Sequence, residues 1–135
     1  MRNRLIALVL AVVAMFALTG CDQEIPTGGY VMDIPGATLE SNRQDPELRK
    51  STLVVDVRSA DEFASGHLPE SLNIPLDELE SRIGELEDHK SSAVVLVSTK
   101  QDLSKQAAEI FVENMFLDVK LAPGIEEFDY TLVQS

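Results

Sequence analysis

Cys21 is the only cysteine of this chain, and His67 and His89 are its only histidines, so thiolate, imidazole and soft-metal chemistry must come from these three side chains. A single thiol forms no intramolecular disulfide in any compartment, and the two histidines stand at no spacing recognisable as a zinc site. Carboxylates are plentiful, with 23 Asp and Glu against 11 Lys and Arg. A cluster of them could hold a hard cation, but no loop has the pattern of an EF-hand, and neither a metal nor another cofactor is expected. Three further charged groups, Asp56, Arg58 and Glu62, sit close to the end of the apolar run Leu53–Val57. Charged groups at a strand end can be catalytic, yet a hydrogen-bonded corner is the simpler reading.

The surroundings of Cys21 decide its chemistry. Arg2 and Arg4 precede an uncharged stretch from Leu5 to Leu18, and small residues follow before a cleavable position, which is the layout of a secretory signal. As a helix this stretch would reach about 21 Å, short of the roughly 30 Å of bilayer hydrocarbon, so it reads as a removable address rather than a span. Leu18-Thr19-Gly20-Cys21 resembles the bacterial lipobox. That resemblance implies diacylglycerol on the Cys21 sulfur, cleavage that leaves Cys21 as the first residue, and at least two acyl chains (palmitate or similar), enough for stable anchoring. The expected organisation is a signal peptide over 1–20, a lipid-anchored tether over 21–33 and a folded domain over 34–135. The expected location is the bacterial cell envelope at the periplasmic face. Asp22 resembles an inner-membrane retention signal, with the outer membrane as the alternative.

Removing residues 1–20, which carry two arginines and no acid, takes the net charge from −12 to −14 over 115 residues. So acidic a domain repels nucleic acid, and its expected partners are the membrane, through the lipid, and a protein of the envelope. The length suits one domain.

Pro26, Gly28, Gly29, Pro35 and Gly36 break regular structure and suit a tether, although Tyr30–Ile34 could make a short first strand. Residues 37–50 read as helical with a break at Pro46. Leu53–Val57 and Ala93–Val97 are continuous, largely β-branched apolar runs, as expected of strands buried on both faces of a parallel sheet. Leu76, Leu79, Ile83 and Leu86 mark one amphipathic helix; Leu103, Ala107, Ile110, Phe111 and Met115 mark another. Val119–Leu121 fits a last strand. Strands alternating with helices give an α/β class.

Within this frame, the segment Asp56-Val57-Arg58-Ser59-Ala60-Asp61-Glu62-Phe63, followed by Gly66-His67-Leu68-Pro69 and Asn73-Ile74-Pro75, resembles the N-terminal signature of rhodanese-like domains. Glu70-Ser71 replaces the usual Gly-Ala. Ser59 and Glu62 have capping-box spacing, Phe63 is expected to face the core, Gly66 to end the helix, and Pro75 to start the next one. Leu121-Ala122-Pro123-Gly124-Ile125-Glu126-Glu127-Phe128 resembles the closing Gly-Gly-x-x-x-Trp motif, with Pro123 and Phe128 substituted. The resemblance implies a rhodanese-like fold of about five mainly parallel strands flanked by helices, with Asp56, Arg58, Glu62, Gly66, His67, Asn73 and Pro75 as its fold signature.

In active members the strand before the second long helix ends in a cysteine, and a six-residue loop curls around it before a serine at the helix start. Here the corresponding residues are Ser98, Thr99, Lys100, Gln101, Asp102, Leu103 and Ser104. A serine hydroxyl cannot form the persulfide that carries sulfur. The resemblance therefore implies a degenerate site, with no catalytic residue expected, and a binding or scaffolding module instead of a sulfurtransferase. The alternatives are a sulfurtransferase relative with weak activity or a partner-supplied thiol, and a hydrolase using Ser98, which would need a general base.

Overall fold

The computed structural model describes residues 30–135. Cys21, Asp22, the signal-like stretch and most of the expected tether lie outside the described residues. The described chain runs β1 (Tyr30–Asp33), α1 (Gly36–Gln44), α2 (Pro46–Ser51), β2 (Thr52–Asp56), α3 (Ala60–Ser65), β3 (Leu72–Asn73), α4 (Leu76–Arg82), a 3-10 helix (Ile83–His89), β4 (Ala93–Val97), α5 (Gln101–Glu113) and β5 (Asp118–Leu121). No helix among the described residues is long and apolar enough to cross a membrane.

The five strands form one sheet in the order β1-β5-β4-β2-β3, and every pairing is parallel. This is the expected α/β architecture. β4 lies at the centre, paired with β2 and β5, and Val94, Val95, Leu96 and Val97 are all buried. Alternate residues of the sheet feed two cores. Val55, Val94, Leu96, Val119 and Leu121 meet Leu79, Ile83, Leu86, Ala107 and Phe111 on one side, whereas Val54, Val95 and Val97 meet Leu39, Leu68 and Tyr130 on the other. Helices cover both faces, which is why β2 and β4 carry continuous apolar runs, whereas β5 alternates between buried Val119 and Leu121 and half-buried Asp118 and Lys120.

Four details differ from the sequence expectations. Residues 30–33, placed at the end of the tether, form the edge strand β1 that Tyr30–Ile34 offered, because their backbone groups pair in register with β5. The helix expected over Leu76–Leu86 changes to 3-10 geometry at Ile83; three residues per turn keep buried Ile83 and Leu86 on one side, and Gly84 weakens the α-helix. The buried face of α5 is Ser104, Ala107, Ala108 and Phe111, leaving Leu103 exposed and Met115 beyond the helix end. Finally, Phe63 is half-buried and stacks on the His67 ring with centroids 3.7 Å apart, outside both cores. Gly66 does end α3, but in extended backbone, so no left-handed turn demands a glycine there.

The Ser104 hydroxyl is fully buried on the sheet-facing side of α5 and has no hydrogen-bond partner among the described residues. A buried hydroxyl without a partner carries its desolvation cost uncompensated. Ser104→Ala is therefore expected to raise stability by about 1 kcal/mol, read as a higher urea midpoint at unchanged slope.

Candidate functional site

The C-terminal end of β4 leads directly into Ser98, which is buried at 3% exposure, and from there through Thr99 and Lys100 into α5. The expected six-residue loop is thus shorter: Gln101, Asp102 and Leu103 form the first turn of α5, and Ser104 lies inside the helix. Two backbone bonds tie the turn to the closing segment, Ile125 N donating to Ser98 O at 2.9 Å and Glu126 N to Thr99 O at 3.2 Å. Gly124 is where glycine is indispensable. A Cβ there would lie 2.2 Å from Thr99 O and 2.3 Å from the Lys100 Cα, closer than backbone can yield.

The start of α5 is capped from a distance. Lys100 occupies the N-cap position and makes no side-chain cap; an ammonium cannot accept from an amide. The acceptor is the Glu127 carboxylate, whose Oε2 receives Gln101 N at 2.7 Å and Gly124 N at 2.8 Å. These two amide bonds hold the Glu127 carboxyl below its ordinary value. Gln101 extends the lock through Nε2, donating to Asp33 Oδ1 at 3.0 Å and Leu121 O at 3.2 Å. Asp102 pairs with Lys105 at 2.7 Å on the exposed side of the helix.

A second carboxylate borders the turn. Glu62 Oε1 accepts from Thr99 Oγ1 at 3.2 Å, while its Oε2 accepts from Ser59 N and Oγ, completing the capping box of α3. The Ser59 bonds come first, and then the Thr99 bond, in lowering the Glu62 carboxyl. Beside the ends of β2 and β3, a shallow recess of about 540 Å³ includes Ser59, Pro75, Asp77 and Glu78 in its lining and has no basic residue.

The other signature residues build the corner that holds this end of the sheet. Asp56 and Arg58 form a buried ion pair, Nη2 to Oδ2 2.8 Å, with side chains 1% and 7% exposed. Arg58 Nη2 also donates to Gly66 O at 2.7 Å, and Asn73 Nδ2 donates to Asp56 O and Arg58 O at 3.0 and 2.9 Å. Pro75 caps α4 as its N-cap residue. His67 is buried, and its Nδ1 lies 2.8 Å from Phe63 O, which fixes the tautomer with the proton on Nδ1 because a carbonyl only accepts. Its backbone bridges Val133 in both directions at 2.9 Å. His89 is exposed at the end of the 3-10 helix.

Of the two histidines, His67 is tied to Phe63 and Val133 and His89 lies exposed at the end of the 3-10 helix. No group of three or more His, Cys, Asp or Glu among the described residues could hold a metal ion. What the arrangement offers is a closed turn with acidic surroundings. Sequence reading passed over Glu127; the usable signal was Lys100, a residue unable to cap the helix that follows it.

Replacing Arg58 by alanine leaves Asp56 charged and buried without a partner, and should cost about 3–5 kcal/mol of stability in urea unfolding. Glu127 gives a pH-dependent counterpart. Its folded-state value is depressed, so its contribution is complete above the ordinary carboxylate range and is lost as pH falls through the lowered value. Glu127→Gln should lower the melting temperature at pH 7, and the gap from the unsubstituted protein should close on acidification below the carboxylate range.

The family model described as Rhodanese-like domain matches residues 37–128, more than half of the chain. Among curated proteins, the "Putative sulfur carrier protein YrkF" of Bacillus subtilis (strain 168) is 29% identical over 96 residues, covering 70% of this chain and 51% of that protein. The "Uncharacterized protein YibN" of Escherichia coli (strain K12) is 38% identical over 50 residues, 36% of this chain and 35% of that one. The chain thus spans about half the length of the first relative and about a third of the second. A rhodanese-related protein from Thermoplasma volcanium has a solved structure that superposes with a TM-score of 0.65 at 25% identity, covering 77% of this chain and 99% of that one. With the parallel sheet, the Asp56–Arg58 corner and the turn at Ser98, these matches place the chain in the rhodanese-like domain family.

Proposed function

We propose that this protein is a lipid-anchored rhodanese-like lipoprotein of the bacterial envelope, held at the periplasmic face through Cys21. Its domain works as a binding or scaffolding module without sulfurtransferase turnover. The observation that carries the reading is the turn after β4: Ser98 stands where a persulfide-forming thiol would be needed, and the first amide of α5 already binds the Glu127 carboxylate. An incoming anion such as thiosulfate meets Glu62 and Glu127 at the turn and a mature charge of −14 overall. The same charge favours a basic protein partner in the envelope, and Asp22 favours the inner membrane.

A second reading rests on the relative whose name is that of a sulfur carrier. In it, the domain takes part in sulfur transfer using a thiol supplied by a partner. A serine hydrolase has no comparable support, because His67 is committed to Phe63 and Val133.

Thiosulfate:cyanide transfer by purified protein lacking residues 1–20, measured alone and with a small thiol such as glutathione added in the partner's place, separates the two readings, since turnover that needs the added thiol favours the second. The expected result is no turnover, either unsubstituted or as Ser98→Cys, because the amides remain occupied by Glu127. Turnover by the unsubstituted protein would overturn the proposal; turnover gained only in Ser98→Cys would show an intact cradle and favour the second reading.

A further inference from the structure

Every strand is parallel, and the starts of β1, β5, β4 and β2 share one pole of the domain. Tyr30, Asp118, Ala93 and Thr52 lie in a single row across the sheet. The Ser98 turn is at the opposite pole, after the C-terminal end of β4. Cys21 precedes Tyr30 by nine residues, and a fully extended chain covers at most about 3.3–3.6 Å per residue. On the reading that Cys21 carries the lipid, the row of strand starts can stand no farther than about 30 Å from the acyl chains.

Two large apolar side chains project at that pole. Met115 and Leu117, in the connection from α5 to Asp118, are each 54% exposed. Met115 ends α5 with a positive φ of 67°, a left-handed conformation in which its amide bonds to Val112 O and the Phe116 amide to Phe111 O. Glycine is the residue that adopts this conformation without cost; here a methionine does, with more than half of its surface exposed. Two of the nearby cations are paired, Lys90 with Glu87 at 2.7 Å and Lys120 with Asp118. Leu117 N donates to Lys90 O, which fixes the apolar tip beside the first of these pairs.

We propose that Met115 and Leu117 sit in the headgroup–acyl boundary of the membrane that holds Cys21, as a second contact beside the lipid. The inference rests on the anchoring read from Cys21. A lipid surface is the occupant because the anchor delivers it to this pole, whatever partner the domain has. The net charge of −14 selects against strongly anionic headgroups, so the expected surface is zwitterionic. The contact sets the domain upright, with the Ser98 turn facing away from the bilayer.

The test uses the full, lipidated chain reconstituted in phosphatidylcholine vesicles that contain doxyl-labelled phosphatidylcholine as a quencher. Acylated Cys21 leaves no free thiol, so Met115→Cys, Leu117→Cys and Leu103→Cys each offer one position for a bimane label; Leu103 is exposed near the Ser98 pole. The expected result is loss of fluorescence at positions 115 and 117 and none at 103. Equal fluorescence at all three positions in protein that floats with the vesicles would overturn the contact while leaving the anchor intact. If the unsubstituted protein takes up bimane at Cys21, or fails to float, the anchoring falls and the contact falls with it.

Discussion

A carboxylate and a guanidinium almost wholly removed from water hold together the end of the sheet on which everything else is arranged. Moving either ion alone out of water would cost several kcal/mol, and the Asp56–Arg58 pair offsets that cost with several bonds: Asp56 accepts from Arg58 N, Nε and Nη2. Arg58 Nη2 also donates to the Gly66 carbonyl, and Asn73 spans the carbonyls of both residues. The effect is to pin three separate parts of the chain, the end of β2, the turn after α3 and the short edge strand β3, to one point. Ser59 and Glu62 then follow at a fixed offset, which brings the Glu62 carboxylate to Thr99 on the far side of the turn. A cluster that reads in sequence as charges available for chemistry is spent on geometry.

The second lock comes from the other end of the domain. Gly124 lets the closing segment lie directly on Thr99 and Lys100, and Glu127 supplies the acceptor that α5 lacks at its start. Helix N-termini attract anions through unpaired amides and the helix dipole. In this domain the attraction is satisfied internally, by a carboxylate of the same chain.

Much of the fold was legible in the sequence. The continuous runs Leu53–Val57 and Ala93–Val97 predicted strands buried on both faces, and the spacing Ser59-x-x-Glu62 predicted a capping box that is present with both of its bonds. What periodicity could not resolve were the choices made by tertiary contact. Ala107 and Phe111 of the expected face of α5 are buried and Ile110 packs partly against the core, but at the ends of that face Leu103 is exposed and Met115 lies beyond the helix, while small Ser104 and Ala108 are buried. Of the site, the position of Ser98 at a strand end followed from the apolar run before it. The shortness of the turn and the role of Glu127 did not, since both depend on contacts between residues more than twenty positions apart.

The attachment of Glu127 to the same chain has a consequence for any ligand of the turn. A free anion competes with a group that never diffuses away and whose effective concentration is set by the short connection through Gly124. Tethered groups of this kind act at about millimolar effective concentration or above. A ligand arriving at micromolar levels would have to make up that ratio in intrinsic affinity before it displaced the carboxylate, and protonating Glu127 would remove the competitor without any change in the backbone.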